Sequence, residues 1–244
     1  MQEAVIGILL SALATGAGAI PILFFTGISS KLRDILLAFA SGVMMAATTF
    51  SLIPEALDAS NLYVVSIGLL LGTLVLNFFD SRFTSDNLEI PKMNTIIDRK
   101  TVLVIIAITL HNLPEGLSVG VSYGAGAENL GAIIALAIGL QNAPEGFLVA
   151  IYLVSQKVSR ITALIIATLT GLVEIVTGAL GYVLASEVDM LVPYGLSFAA
   201  GAMLFVIYKE LIPDSQEGVN KRFPTYAFII GLIAMLGLIQ KFGV

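Results

Sequence analysis

Cysteine is missing altogether from the 244 residues, so neither a disulfide nor a thiolate metal site can be built. Histidine is nearly missing as well: the chain has one, His111. A single imidazole cannot supply the pair that an H-E-x-x-H zinc protease uses. Ser118 and Ser122 lie further along the same predicted helix, where they cannot point back at His111, so no Ser/His hydrolase pair fits either. Charge is scarce too. Only 12% of the residues are Asp, Glu, Lys or Arg, and no basic patch with interleaved aromatics points to a nucleic-acid partner.

What the chain has in quantity is hydrocarbon. Hydrophobic residues make up 57% of it, gathered into runs longer than the core helices of a soluble protein need. A membrane-spanning helix takes about 20 mostly apolar residues. Eight such runs are predicted, at 4–26, 35–57, 63–80, 102–122, 129–154, 161–184, 192–213 and 224–241, and are numbered spans 1 to 8. The expected class is therefore an all-α integral membrane protein lying in a lipid bilayer. Span 1 is read as retained rather than as a secretory leader, because nothing basic precedes it.

Lys and Arg are distributed unevenly. Lys31 and Arg33 fall between spans 1 and 2; Arg82, Lys92, Arg99 and Lys100 between 3 and 4; Lys157 and Arg160 between 5 and 6; Lys221 and Arg222 between 7 and 8. The alternate loops carry Asp58, Glu128, Glu187 and Asp189 without Lys or Arg, and only Lys241 breaks the trend. Basic loops stay in the cytoplasm, which predicts that both termini are extracytoplasmic. The stretch 81–101 is the only long connection and is expected to be a cytoplasmic linker.

The sequence also repeats itself. FASGVMMAATTFSLIPE (39–55) lies over FAAGAMLFVIYKELIPD (198–214) at a constant offset of 159 residues. Those segments sit in spans 2 and 7, which run in opposite directions, as an inverted repeat requires. HNLPEG (111–116) and QNAPEG (141–146) form a second pair, thirty residues apart in the antiparallel spans 4 and 5. A 3+2+3 arrangement follows: three helices, a central pair, and three helices related to the first three.

The central pair carries the chemistry. His111 and Glu115 are four residues apart, as are Gln141 and Glu145, so each pair shares a helix face. Asn112 and Asn142 stand three residues before their glutamates. A charged side chain at mid-membrane costs about 2.5–3.5 kcal/mol on insertion scales, so it should face a partner, a cavity or an ion. Glu115, Glu145 and Glu174 all lie at that depth with no Lys or Arg level with them. Pro114 and Pro144 lack an N–H, which frees the carbonyls of Leu110 and Leu140. Carboxylates, amides, freed carbonyls and one imidazole suit a borderline divalent cation such as Zn²⁺, Fe²⁺, Mn²⁺ or Cd²⁺, whereas an all-oxygen shell would suit Ca²⁺ or Mg²⁺. Two alternatives stay open: Glu174 as a protonated residue hydrogen-bonded between helices, and Asn112 and Asn142 as amides that join helices. Glu55, Glu210 and Asp214 are placed near the membrane surfaces as gating residues, with Lys209 snorkelling to the cytoplasmic face.

Taken together, HNLPEG, QNAPEG, SLIPEAL (51–57), GLVEIVTGALG (171–181) and ELIPD (210–214) resemble the Zrt/Irt-like (ZIP) divalent metal transporters, in their short prokaryotic GufA-like branch. The likeness covers nearly the whole chain and implies one transport domain over 1–244, in the cytoplasmic membrane of a prokaryote. It implies a binuclear mid-membrane site for zinc or a similar metal, held as transported substrate and not as a catalytic cofactor. His111, Glu115 and Glu145, with Met45 as a soft ligand, would make the first position. Asn112, Gln141, Asn142 and Glu174 would make the second, with Glu115 and Glu145 bridging. It further implies that spans 1, 4, 5 and 6 move against spans 2, 3, 7 and 8 in an elevator-like cycle that brings metal inward, and that the protein is a homodimer joined through the less mobile helices.

The chain departs from the family pattern in two places. Many members have His at the position of Gln141, and some have Asp or His at Asn142. The cytoplasmic connection lacks the histidine cluster often found there. Two rivals are a calcium/cation antiporter, whose repeats are usually far apart and lack His, and an intramembrane metalloprotease.

Overall fold

The computed structural model describes residues 1–25, 27–83, 99–126, 129–218 and 221–242, and among them helix is the only regular structure. Eight helices are long and apolar enough to cross a membrane: α1 (Gln2–Leu23), α2 (Ser30–Asp58), α3 (Leu62–Arg82), α4 (Thr101–Gly124), α5 (Leu130–Ser155), α6 (Arg160–Glu187), α7 (Asp189–Ser215) and α8 (Arg222–Phe242). The protein is a multi-pass membrane protein. Most of the 81–101 connection, and Glu128, lie outside the described residues.

Local chemistry sets the ends. Ser29 caps α2 by accepting from Leu32 N, and Ser159 caps α6 by accepting from Thr162 N, so each satisfies an otherwise orphaned N–H. Pro21 tightens the end of α1 into a 3₁₀ turn. By contrast, α4 and α5 continue through Pro114 and Pro144 without a break.

The pattern of packing recurs along the chain. Helix α1 packs on α5 and α6, and α4 packs on α6, while α2 lies along α8 and α3 along α7. Glycines make the closest of these approaches, because a missing Cβ lets one backbone touch the next. Gly42 sits on the Phe228 carbonyl and Gly201 on the Leu69 carbonyl; Gly72 sits on Phe198 and Gly231 on Phe39. Every residue in the first member of each pair of contacts has its counterpart 159 positions away in the second. Gly116 touches the Glu174 backbone and Gly146 the Thr15 backbone, so the thirty-residue and 159-residue offsets meet in one contact.

The two repeat helices also share a defect. α2 widens into a π turn over Thr48–Leu52, and α7 does so over Ile207–Leu211, each just before an Ile-Pro step. Pro54 and Pro213 cannot donate to the preceding turn, and the wider turn absorbs that mismatch. The sequence similarity between 39–55 and 198–214 is thus matched by the same irregularity at the same offset.

Candidate metal site

Helices α4, α5, α6 and α1 meet at the two Pro-Glu-Gly motifs. Gly116 and Gly146 bring the motif backbones directly against α6 and α1, which carries the neighbouring Glu115 and Glu145 into the bundle. Asn112, Gln141, Asn142 and Glu174 have no exposed surface, and Glu115 has 1%.

A hydrogen-bonded chain crosses this interior. Gln141 Nε2 donates to Asn142 Oδ1, and Asn142 Nδ2 donates to Glu174 Oε1 at 2.8 Å and to the Ser11 carbonyl at 3.0 Å. Glu115 lies within reach of the Gln141 amide and in the field of both Glu145 and Glu174. Five acceptor atoms find no hydrogen-bond partner among the described residues: Asn112 Oδ1, Glu115 Oε2, Gln141 Oε1, Glu145 Oε1 and Glu174 Oε2. Each such orphan costs roughly 1–3 kcal/mol in a buried setting, and more when charged. The arrangement therefore leaves buried oxygens short of positive charge.

His111 faces the other way. Its Nε2 is 2.7 Å from Glu210 Oε2 on α7, and Glu145 is the next carboxylate to act on it. This sets Glu210, partly exposed in the wall of a cavity, against the central histidine. Lys209 is tied to Asp80 of α3 while its side chain stays exposed. Among the described residues, no three His, Asp or Glu side chains gather round one point. Met45 is half-buried against the apolar core beside Met44 and Leu52.

A cavity of about 810 Å³ leads to this point. Ser30, Arg33, Tyr152 and Ser155 line its mouth, at the helix ends flanked by the basic residues, and His111, Glu145 and Glu210 stand at its inner end. Arg33 is held at the mouth by Asp34 and Glu217, each at 3.0 Å. Beyond the polar cluster, on the opposite side, Val119, Ile134, Ile138 and Leu196 are fully buried and fill the space.

Sequence reasoning missed two participants, Ser11 and Thr15, and named Glu210 only as a gating residue. Ser11 contributes a backbone carbonyl to Asn142, and its side chain lies within hydrogen-bond reach of Glu174. Thr15, whose buried Oγ1 lacks a partner among the described residues, stands 159 residues before Glu174, and with Ser11 it makes a polar i, i+4 stripe that was legible on an otherwise apolar helix. Glu210 occupies the place of Ser51 in the repeat, so the pairing gave no sign of its contact with His111.

The family profile described as ZIP Zinc transporter matches residues 81–239. The chain belongs to the ZIP family. It is 35% identical to the zinc transporter GufA of Myxococcus xanthus, with 100% of each chain covered. It is 32% identical to the zinc transporter ZIPB of Bordetella bronchiseptica over 94% of this chain and 78% of that one. A zinc transporter ZupT of Escherichia coli is 33% identical, with coverage of 88% and 89%. Both Pro-Glu-Gly motifs of this ZIP chain fall inside the matched region.

Proposed function

We propose that the protein carries divalent transition-metal cations, zinc foremost and iron, manganese or cadmium as further cargo, into the cytoplasm across a prokaryotic cytoplasmic membrane. One observation carries the reading: carboxylates of three helices, Glu115 and Glu174 buried and Glu145 half-buried at the inner end of the cavity, each keep a buried oxygen unpartnered among the described residues in an apolar bundle. A doubly charged passenger satisfies them. Relatives named zinc transporters support the choice of metal. The same family membership favours this reading over the calcium antiporter and the intramembrane protease.

The site is two adjoining positions, the first from His111, Glu115, Glu145 and Met45, the second from Asn112, Gln141, Asn142 and Glu174, with Glu115 and Glu145 shared. Residues 1–244 act as one transport domain with a 3+2+3 inverted repeat, a reading supported by glycine contacts that recur at the 159-residue offset. The termini lie outside, and the cavity that runs from Ser30, Arg33 and Ser155 to His111 and Glu145 is the release path.

Alternating access is elevator-like, with α1, α4, α5 and α6 moving against α2, α3, α7 and α8. The seams support this division. Glycine-to-backbone approaches such as Gly116 on Glu174, Gly146 on Thr15 and Gly42 on Phe228 all fall within one group or the other. Across the boundary the glycine contact is Gly195 against the Val121 side chain, an interface that can slide. The homodimer contact lies on the static group, where α3 is the least covered helix, with 22% of its central window buried.

The test is metal uptake by reconstituted vesicles. Glu115→Ala or Glu145→Ala should abolish uptake in a protein that still folds, and wild-type flux in either variant refutes the site.

A further inference from the structure

One face of α4 continues past the end of the cavity. Successive residues of a helix turn by about 100°, so Val104, Ala107 and His111, which line the cavity, share a strip with Glu115, Ser118 and Ser122 further along. The opposite face of α4 is its seam with α6, where Gly116 and Gly120 rest on the Glu174 and Gly178 backbones. The strip therefore looks away from α6. On its two flanks His111 pairs with Glu210 of α7, and Val121, one turn from Ser118, packs on Gly195 of α7. The antiparallel α5 behaves alike: Tyr152, Leu148 and Glu145 line the cavity, and the same face runs on through Gln141, Ile138 and Ile134. The cavity thus occupies the inner half of a track whose outer half is closed, for Ser118, Ser122, Ile134 and Ile138 have no exposed surface.

The closed half is not uniformly apolar. Ser118 Oγ donates to the Glu115 carbonyl at 2.7 Å and keeps its lone pairs free to accept. Ser122 Oγ has no partner among the described residues, although Thr48, Thr109 and Ser197 all donate to a carbonyl one turn back. A buried hydroxyl left without a partner costs roughly 1–3 kcal/mol, and alanine would fill nearly the same space without that cost. The hydroxyls have a use only if this face is at times wet or occupied.

We propose that Ser118 and Ser122 line the entry half of the ion path, where their hydroxyl oxygens replace water around a divalent cation on its way to Glu115 when the site faces outward. The inference rests on the metal-transport reading with alternating access, and adds the route taken on the side that is closed here. A path must hold an ion firmly enough to admit it and weakly enough to let it leave. A neutral hydroxyl does this, whereas a carboxylate at the same depth would keep the ion. Because the matching face of α5 offers Ile134 and Ile138, the oxygens of this half come from α4.

The chain has no cysteine, so Ser118→Cys and Ser122→Cys each carry a single thiol of nearly unchanged size. Ile8→Cys is the control, buried on the far side of α4 against Gly178, whose carbonyl Gly120 touches. Intact cells are treated with a membrane-impermeant methanethiosulfonate, and modified protein is counted by mass spectrometry. Both serine-site thiols should react at least roughly tenfold faster than Ile8→Cys, since a buried thiol reacts only as often as its surroundings open. A thiol on the route should also grip a soft ion, so trace Cd²⁺ should inhibit zinc uptake more strongly in both variants than in Ile8→Cys. Folded variants that label no faster than the control, or that show the same Cd²⁺ inhibition, overturn the inference. Should neither cysteine variant fold, Ser118→Ala combined with Ser122→Ala serves: initial uptake should fall several-fold while metal bound at equilibrium stays the same, and wild-type initial rates overturn the inference. The two levels separate cleanly. If the wild type moves no metal into vesicles, the transport reading falls and the route with it; if it transports while the serine-site thiols stay unreactive, only the route falls.

Discussion

Gly146 follows Glu145 directly, and an added Cβ there would land on the Thr15 carbonyl of α1. A carbonyl is part of a hydrogen-bonded helix and cannot swing aside as a flexible side chain can. In Gly146→Ala the two helices must therefore separate by on the order of 1 Å to restore ordinary contact. Metal–ligand distances tolerate only about 0.2 Å. A shift of that size carries Glu145 out of bonding range while every ligand remains in place. We expect uptake of radioactive zinc or cadmium by liposomes to fall by roughly 10–100-fold, the cost typical of disturbing the support of a metal ligand. Overpacking should also remove about 1–3 kcal/mol of stability, read as a lower midpoint for loss of helical circular dichroism in detergent. Gly139→Ala is the matched control on the same helix. Its nearest neighbours would be Ala14 and Ser11 at 3.8 Å. It should transport normally and gain up to about 1 kcal/mol of helix propensity. Gly146→Ala with wild-type flux and an unchanged midpoint would refute the claim that this backbone contact positions the carboxylate.

Two further outcomes follow from the inner end of the cavity. Glu210→Gln replaces the charged partner of His111 with a neutral one, and a hydrogen bond to a charged group is worth about 1.5–3 kcal/mol. With the imidazole less firmly held by α7, metal should be released more slowly, so both the maximal uptake rate and the apparent KM should fall; initial-rate curves with both unchanged would show that the contact has no part in transport. His111→Ala should alter the order in which Zn²⁺, Cd²⁺, Mn²⁺ and Fe²⁺ compete for uptake, because it removes the only nitrogen-ring ligand. An unchanged competition profile would exclude His111 as a ligand.

The number of helices could be read from the sequence because hydrocarbon imposes a minimum length on every crossing segment. The meeting of Asn142 with Glu174 could be anticipated in part, since both are polar residues stranded at the same depth. The contact of the Ser11 carbonyl with Asn142 could not, because it is a main-chain oxygen brought near by Gly146 and Gly171, whose missing Cβ atoms let α1 come close. The contact of Glu210 with His111 was hidden for a different reason: α7 widens into a π turn over Ile207–Leu211, and residue counting alone does not say which way a side chain in that turn reaches. Lys209 sits in the same turn, and the partner that holds it, Asp80, is on a helix 129 residues away in sequence.

The paired seams have a practical consequence. Gly42 against Phe228 and Gly201 against Leu69 are one piece of carpentry made twice, so the chain supplies its own ruler. The same small insult delivered to each joint starts from equal geometry, and any inequality in the response records how far the two seams have diverged.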